Sequence, residues 1–253
     1  MKALILAAGR GSRLASLTDH VPKCLVQYQG EPILKYELDS LLQCGIDEIG
    51  IIGGYHFEVL KDYIEKNYSK KANFSFFFNE RHNSTNMVHT FFCARDFLDE
   101  ELILSYSDIL YSPSIVRALQ ESEGEVNVVI DRAWQKLWEQ RFENPLEDAE
   151  TLKIREGRIK EIGKKPQTLE EIEGQYMGLL KFSKEFLPRL IRYYEGLDRE
   201  RLYDGKDYSN MYMTSLLQGL IETFDNVSPV LIEGGWGEID APSDLEIDLQ
   251  LAK

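Results

Sequence analysis

The chain has 253 residues, of which 43% are hydrophobic and 28% charged, and its formal net charge at pH 7 is −14. These proportions are typical of a globular protein with a sizeable core. Because an acidic surface repels phosphate backbones and anionic lipids, and no run of about 18 apolar residues occurs, we expect neither nucleic acid nor a membrane as partner.

Strands and helices alternate regularly in the first half of the chain. We predict strands over residues 4–6, 46–53, 74–78 and 102–105, and helices over 33–42, 57–67 and 85–98. Helical spacing is clearest at Ile33, Leu34, Leu38 and Leu41, and Gly45 supplies a stop. This alternation favours a parallel sheet with helices on both faces.

The pattern loosens after Pro113. We predict helices over 114–121, 185–195 and 211–224, strands over 126–130, 175–182 and 230–232, a hairpin over 152–162 and a C-terminal helix from Ser243. No repeat, low-complexity stretch or linker is present, so we expect one domain with two lobes. The three cysteines are far apart, which predicts reduced thiols in a cytoplasmic protein.

Positive charge is concentrated at the start of this acidic chain. Residues 1–23 hold four basic side chains against Asp19 alone, a formal charge of +3. They include the sequence GRGSR at residues 9–13, directly after the first predicted strand. Glycines let backbone N–H groups approach an anion, Arg13 can bind two phosphate oxygens, and Lys23 adds a compact charge. The segment therefore predicts a nucleotide phosphate site.

This loop lacks the patterns of two common nucleotide-binding motifs. A Walker A loop needs GxxxxGK[ST], which is absent, and a dinucleotide fingerprint would need a third glycine where Leu14 stands. A plain turn between a strand and a helix would explain the glycines. It would not explain two arginines together with a lysine ten residues later.

The loop and the Pro-Lys pair after it resemble a family signature. Residues 6–14, Leu6-Ala7-Ala8-Gly9-Arg10-Gly11-Ser12-Arg13-Leu14, with Pro22-Lys23, are similar to the signature of the nucleoside-triphosphate transferases that make NDP-sugars and CDP-alcohols. The resemblance extends to residues 236–240, Trp236-Gly237-Glu238-Ile239-Asp240. It implies an α/β, Rossmann-like (GT-A-like) three-layer nucleotidyltransferase fold with a mixed, mainly parallel central sheet, a nucleotide-binding lobe over about residues 1–110 and an acceptor-binding lobe over about 111–253.

The same resemblance implies catalytic and metal-binding roles. The loop over residues 6–13 wraps the triphosphate, Arg13 holds the leaving pyrophosphate, and Lys23 neutralises charge on the reacting phosphoryl group. Mg²⁺ is held by Asp108 and Asp240. Asp108 follows Ser107 where the family usually has Gly-Asp, a departure that keeps the carboxylate.

The segment after the third strand points to a subgroup of that family. Its sequence, NERHNSTNM at residues 79–87, is similar to the loop of enzymes that transfer CMP to small phosphorylated amines, including bacterial phosphocholine cytidylyltransferases. Asn79 or Asn86 could read the pyrimidine edge, because an amide both donates and accepts, and Thr85 lies in the same nucleotide-binding loop. As purely structural residues, Asn79 would be a turn residue and Thr85 a helix N-cap.

Residues 131–150 are similar to the acceptor-binding segment of the same subgroup. Trp134 and Trp138 would share a helix face that suits a quaternary ammonium, or would simply be core residues. Arg141 and Glu150 favour an acceptor with both charges, such as phosphoglutamine or aminoethylphosphonate. Two further acceptor candidates are Lys164, which could instead end a hairpin in solvent, and Tyr176.

The resemblance to this subgroup implies a Mg²⁺-dependent cytidylyltransferase. We expect CTP and a small phosphorylated acceptor as its partners, and a product used in bacterial surface polysaccharide. Two alternatives are a UDP- or dTDP-sugar pyrophosphorylase and a catalytically silent nucleotide-binding homologue. The sequence leaves the acceptor and the oligomeric state open, a homodimer included.

Overall fold

The structure, a computed structural model, describes residues 1–249 and residue 251. The strands are β1 (Lys2–Ala7), β2 (Gln27–Tyr28), β3 (Glu31–Pro32), β4 (Glu48–Gly53), β5 (Asn73–Phe78), β6 (Leu102–Tyr106), β7 (Ile109–Tyr111), β8 (Val126–Asp131), β9 (Leu152–Arg155), β10 (Arg158–Ile162), β11 (Gln175–Phe182), β12 (Val227–Ile232) and β13 (Trp236–Glu238). The helices are α1 (Ile33–Gln43), α2 (Phe57–Tyr68), α3 (Met87–Phe92), α4 (Pro113–Glu121), α5 (Trp134–Arg141), α6 (Leu187–Glu195) and α7 (Met213–Phe224).

A mixed, mainly parallel sheet forms the centre of the molecule. Within the described residues it has seven strands in the order β12-β8-β11-β6-β1-β4-β5. β11 runs antiparallel to both of its neighbours, and the other neighbouring pairs are parallel. β1 is apolar on both faces, and Ala3, Leu4 and Ile5 are fully buried, as expected for a strand covered on both sides. The predicted α/β fold class is confirmed.

Helices cover both faces of this sheet. One apolar core lies beneath α1, α2, α4 and α5, and the other beneath α3, α6, α7 and the β9–β10 hairpin. Among the helices of residues 1–249, none is both long and apolar enough to span a membrane. The three layers leave the carboxyl ends of β1, β4 and β6 together at one edge, which is where open α/β sheets bind ligands.

A short antiparallel ribbon brings the end of the chain to this edge. β13 pairs with β7, and the Ile239 N–H donates to the Asp108 carbonyl at 2.9 Å. Gly237 is required in the ribbon, because a Cβ there would lie 2.2 Å from a methyl carbon of Leu249. Glu238 and Asp240 are thereby placed beside Asp108, although about 130 residues separate them along the chain.

Three predicted elements differ from the structure. The helix predicted over 85–98 is the shorter α3 followed by a separate 3-10 turn, and the strand predicted from Val230 begins at Val227. The C-terminal helix from Ser243 is wrong, because that segment is a 3-10 turn over Pro242–Glu246 followed by extended backbone at Ile247. Asp244 accepts from the backbone N–H groups of Asp240 and Ala241, which fixes a tight turn. Residues 250, 252 and 253 of the predicted helix lie outside the described residues.

Candidate active site

Lys23, Asp108 and Asp240 meet at the carboxyl edge of the sheet. The Lys23 ammonium donates to Asp108 Oδ2 at 2.6 Å and to Asp240 Oδ1, and Lys23 is only 8% exposed. Burial alone would lower the pKa of Lys23, but the two carboxylates outweigh burial and hold the pKa above its usual value. Lys23 is therefore a buried cation near neutral pH.

The glycine-rich loop lets Lys23 reach this position. Gly11 has a left-handed φ of 67°, and a Cβ there would lie 2.8 Å from the Lys23 Cβ. Only glycine therefore lets the lysine stem run along the loop. The backbone N–H groups of Gly9, Arg10 and Gly11 donate to no residue within the described chain, which leaves them free for an anion.

The two arginines of the loop have different surroundings. Arg13 Nη2 donates to Asp240 Oδ2 at 2.7 Å, while the Arg13 side chain is 64% exposed at the mouth of the site. Arg10 instead lies over the Tyr55 ring at 5.3 Å and pairs with Asp19 at 3.6 Å. Of the two, Arg13 is the one that reaches the acidic centre.

Asp108, Glu238 and Asp240 form a cluster suited to a divalent cation. One oxygen from each carboxylate lies within 4.8 Å of the others. Asp108 Oδ1 is buried and accepts no hydrogen bond from the described residues, so it has a free lone pair inside the site. Burial and the nearby Asp240 raise the pKa of Glu238. Burial alone would raise the pKa of Asp240, but Lys23 outweighs it and holds that pKa below the usual value.

Arg141 supports this cluster from behind. Its guanidinium is 1% exposed and donates to Glu238 Oε2 at 2.6 Å and to Asp244 Oδ1 at 3.2 Å. Asp244 in turn accepts from the Asp240 N–H at 2.7 Å. The Arg141 guanidinium donates its hydrogen bonds to carboxylates of the chain itself. We had predicted that it would contact the acceptor substrate instead. Arg141 neutralises a buried acidic strip formed by Glu238, Asp240 and Asp244.

A cavity of about 160 Å³ opens on one side of Asp108; we name it the Asp108 cavity. Six predicted nucleotide-binding residues line it: Leu6, Ala8, Gly9, Thr85, Asn86 and Asp108. His82 and Met87, which belong to the loop over residues 79–87 but were not singled out, line it as well, and so does Thr90. Ala7 is buried within β1, and Ser12 lies outside this lining.

Asn79 does not line the Asp108 cavity. It is 1% exposed, and its Nδ2 donates to the hydroxyls of Thr85 and Thr90, each at 3.0 Å. Its Oδ1 accepts from the Arg81 N–H at 2.9 Å. Both amide donors are used inside the loop, so Asn79 shapes the cavity wall and is not placed to read a base. The N-cap of α3 is Asn86, not Thr85.

A second cavity, of about 440 Å³, lies on the other side of the acidic cluster; we name it the Glu150 cavity. It adjoins the Asp108 cavity at Met87 and Tyr106, which line both. Predicted residues in its lining are Arg13, Trp138, Glu150, Tyr176 and Asp240. Asp148, which belongs to the acceptor-binding segment over residues 131–150, lines it too, whereas Tyr212, Trp236 and Glu238 were not predicted there. The lining combines aromatic rings with an acidic end, where burial and the nearby Asp148 raise the pKa of Glu150 to about 7.

Besides Arg141, two predicted acceptor residues lie outside the Glu150 cavity. Trp134 is 5% exposed and packs edge-on against Trp138, which follows from its inward position on α5. The Lys164 ammonium binds Glu161 at 2.8 Å, and the lysine side chain is 55% exposed. Trp134 therefore supports Trp138, and Lys164 ends the hairpin in solvent.

Asp131 opens the segment that resembles the acceptor-binding segment, but the sequence did not reveal its supporting role. Asp131 Oδ2 accepts from the Trp236 indole N–H at 2.8 Å, and Oδ1 accepts from the Gly234 N–H at 2.8 Å. Trp236 then lies 6.1 Å from Trp138, ring centre to ring centre. Asp131 thus holds the aromatic wall of the Glu150 cavity and the start of β13.

Comparisons with known proteins place the chain among nucleotidyltransferases. The chain is 50% identical to the CTP:phosphoglutamine cytidylyltransferase of Campylobacter jejuni subsp. jejuni serotype O:2, over 99% of this chain and 100% of the relative. It is 32% identical to a choline-phosphate cytidylyltransferase of Streptococcus pneumoniae, over 44% of this chain and 46% of the relative. In fold it resembles the inositol-1-phosphate CTP transferase of T. maritima, with a TM-score of 0.74 and 21% identity, over 96% of this chain and 90% of that one. The family model described as nucleotidyl transferase matches residues 2–220, and the chain belongs to that family.

Proposed function

We propose that this chain is a cytidylyltransferase that transfers CMP from CTP to phosphoglutamine and releases pyrophosphate. One observation carries the proposal: Lys23, Asp108 and Asp240 lie where two adjoining cavities meet. Such an arrangement suits two phosphorylated substrates that react with each other. The 50% identity to a CTP:phosphoglutamine cytidylyltransferase over the whole chain supports the choice of substrates.

The two cavities divide between the two lobes predicted from the sequence. All residues that line the Asp108 cavity lie between Leu6 and Asp108, so we assign CTP to this cavity. The Glu150 cavity is lined mainly by residues from Trp138 to Asp240, so we assign it to the acceptor. Arg13 and the shared residue Tyr106 then lie between the two substrates.

In the proposed reaction, an oxygen of the acceptor phosphate forms a bond to the α-phosphorus of CTP. The bond between the α-phosphorus and the bridging oxygen breaks, and pyrophosphate leaves with the electron pair. Both substrates are anions, so the chain's main tasks are to align them and to neutralise charge. Lys23 faces the reacting phosphoryl group, and Arg13 with the free N–H groups of the loop holds the leaving pyrophosphate. An ionised acceptor phosphate requires no general base.

We further propose that Asp108 and Asp240, with Glu238 beside them, hold Mg²⁺. The unpartnered Asp108 Oδ1 and the three clustered carboxylates match the oxygen ligands that Mg²⁺ prefers. When bound, the ion would reduce the repulsion between the two phosphate groups. Mn²⁺ binding, followed by electron paramagnetic resonance, tests the ligand set without any turnover. Asp108→Asn is expected to weaken Mn²⁺ binding about tenfold or more, and Asp99→Asn, on an exposed carboxylate, is the control. Equal binding by wild type and Asp108→Asn would contradict this ligand set.

The acidic end of the Glu150 cavity fits the ammonium group of an amino-acid acceptor. The Glu150 carboxylate has no hydrogen bond or ion pair with a described residue, while the Glu150 backbone is fixed by Gln175 at 2.6 and 3.1 Å. The carboxylate is therefore positioned but unused. Trp138, Trp236 and Tyr176 surround the same space and suit a cation as well. The CDP-linked product would be an activated donor, and we propose its use in surface polysaccharide decoration.

Pyrophosphate release in a matrix of substrates tests the proposal. Each nucleoside triphosphate is incubated with Mg²⁺ and one of four acceptors: phosphoglutamine, phosphocholine, aminoethylphosphonate or glucose 1-phosphate. We expect the highest kcat/KM for CTP with phosphoglutamine, and background release for Asp108→Asn. Release with UTP or dTTP and glucose 1-phosphate, but with no CTP pair, would overturn the assignment.

A further inference from the structure

A third cavity, of about 660 Å³, lies outside the proposed active site; we name it the Arg81 cavity. It lies between the loop over residues 81–84, helix α3 and the turn over residues 207–210. Its walls share no residue with either of the other two cavities. The reaction proposed above makes no use of it.

Three arginines line the Arg81 cavity: Arg81, Arg95 and Arg199. Arg95 is paired with Glu195, but Arg81 and Arg199 form no ion pair with any residue of the described chain. Asp207, the other acidic residue of the lining, accepts from the N–H groups of Ser209 and Asn210. In a chain of net charge −14, two guanidinium groups thus lack a direct ion pair at one concave surface, although Asn210 and, after it, Arg81 lower the pKa of the Asp207 carboxyl.

One wall of the Arg81 cavity is aromatic. Tyr194 stacks on Phe92 with ring centres 3.8 Å apart and on Tyr208 with ring centres 4.8 Å apart. Arg199 lies over the outer face of Tyr208 at 5.3 Å, which holds its guanidinium at the cavity. The cavity therefore offers an aromatic wall beside two exposed guanidinium groups, of which Arg199 is held over Tyr208, a combination that recognises a small organic anion.

Helix α3 separates this cavity from the Asp108 cavity. His89, Phe92 and Cys93 line the Arg81 cavity, whereas Met87 and Thr90 line the Asp108 cavity. The turn over residues 207–210 is attached to the same helix, because the Asn86 N–H donates to the Ser209 carbonyl at 3.0 Å. The two cavities are therefore distinct, with one helix between them.

We propose that the Arg81 cavity is a second binding site, for a small phosphorylated organic molecule whose phosphate is held by Arg81 and Arg199. Guanidinium groups bind phosphate oxygens in a bidentate manner and remain charged at all physiological pH values. The volume is within the range of small-molecule sites, about 300–1,000 Å³. The site does not depend on the reaction assigned to the other two cavities.

Calorimetric titration with inorganic tripolyphosphate, in the absence of Mg²⁺, tests this site. We expect wild type to bind two tripolyphosphate ions per chain, one at the loop with Arg13 and Lys23 and one in the Arg81 cavity. The double variant Arg81→Gln/Arg199→Gln is expected to lose one of the two, with affinity there reduced at least about tenfold. The double variant Arg13→Gln/Lys23→Met is expected to lose the other.

The matched control is Arg158→Gln/Arg192→Gln, which removes the same charge from two exposed arginines outside all three cavities. It is expected to bind two ions as wild type does. A wild-type stoichiometry of one, abolished by Arg13→Gln/Lys23→Met, would overturn the proposal. Equal weakening by the control pair would also overturn it, because the effect would then come from net charge. Circular dichroism melting of each variant shows that it is folded.

Discussion

The acidic centre, formed by Asp108, Glu238 and Asp240, differs from the Glu150 cavity in how many of its polar groups are bound to other side chains of the protein. At the centre, Lys23 and Arg141 bind carboxylate oxygens of Asp108, Asp240, Glu238 and Asp244 through short contacts inside the chain, while Asp108 Oδ1 stays free. In the Glu150 cavity, the Glu150 carboxylate has no partner in the described chain, and the Trp138 indole N–H is buried without one. A prearranged charge network suits a step common to all nucleotidyl transfer, whereas unused polar groups suit recognition of one particular acceptor.

We therefore expect substitutions in the acidic centre to affect stability or turnover. Substitutions in the Glu150 cavity should affect the KM for the acceptor. Removing one partner of a buried ion pair leaves an uncompensated charge and is costly. Removing a carboxylate that has no partner in the chain changes the free energy of unfolding little, and its effect is on substrate binding. The predictions below follow that order.

Arg141→Gln should give the largest effect, a loss of about 3–5 kcal/mol in the free energy of unfolding. The substitution leaves Glu238 and Asp244 buried without their cation. Urea unfolding measures the change. Arg132→Gln is the control, because Arg132 is 59% exposed and pairs only loosely with Glu233, at 3.9 Å. A stability within about 0.5 kcal/mol of wild type would show that Arg141 is not what neutralises the acidic strip.

Lys23→Met should lower kcat/KM for CTP by about 10²–10³ while the protein stays folded. The cation that faces the reacting phosphoryl group is lost, and no other lysine of the described chain contacts Asp108 or Asp240. Steady-state pyrophosphate release measures kcat/KM, and circular dichroism shows whether the variant is folded. Lys35→Met removes a lysine that pairs with Asp39 on the surface and should stay within about twofold of wild type. Near wild-type turnover of Lys23→Met would show that Lys23 does not neutralise charge on the reacting phosphoryl group.

Glu150→Gln should raise the KM for phosphoglutamine about tenfold and leave the KM for CTP unchanged. The neutral amide has nearly the same shape but loses the charge that attracts the acceptor ammonium. Initial rates at varied acceptor, with CTP saturating, give the KM. An increase in the KM for CTP instead would place Glu150 outside acceptor recognition.

The same residue predicts a pH dependence. Because the pKa of Glu150 is raised to about 7, its carboxyl group is neutral below that pH and charged above it. Acceptor KM should therefore fall about tenfold as pH rises from about 6 to about 8, and this fall should be absent in Glu150→Gln. Any dependence that remains in the variant belongs to the acceptor or to Glu238, which lines the same cavity and whose pKa burial also raises. The ionisable groups around Glu150 are Asp148, Asp204, Lys165, Tyr106 and Tyr176. Identical pH profiles for wild type and variant would contradict the assignment.

Lys164→Gln should have the smallest effect, less than about twofold on the acceptor KM. Its ammonium binds Glu161 at the surface and does not line the Glu150 cavity. Initial rates at varied phosphoglutamine measure the change. A tenfold rise would restore the role that the sequence suggested for Lys164.

The fold class could be predicted from the sequence because it rests on a local pattern, whereas the roles of Asp108 and Asp240 came from the family resemblance and stay predictions. Alternating apolar runs gave the order of strands and helices, and the loop with Arg13 and Lys23 indicated a phosphate site. The C-terminal turn was missed because apolar residues after Ser243 resemble a helix. Its shape depends on Asp244 accepting from two N–H groups, which spacing does not show.

The supporting residues could not be predicted, because their roles depend on contacts between distant parts of the chain. Arg141 lies 97 residues from Glu238 and 103 from Asp244, and nothing in its own segment indicates a buried cation. Asn79 looked like a base reader until its amide was found to be used by Thr85 and Thr90. Spacing along the chain shows which side chains could reach a site, but not which of their polar atoms are already bound elsewhere.

Transfer of label from CTP to phosphoglutamine is the direct test of the proposed reaction. CTP carrying ³²P at the α-phosphorus is incubated with Mg²⁺, phosphoglutamine and the wild-type protein, and the products are separated. We predict that the label appears in a new CDP-linked product that contains glutamine, with unlabelled pyrophosphate released in equal amount. Label that stays in CTP under these conditions, while α-labelled UTP or dTTP is transferred to a sugar phosphate, would contradict the account.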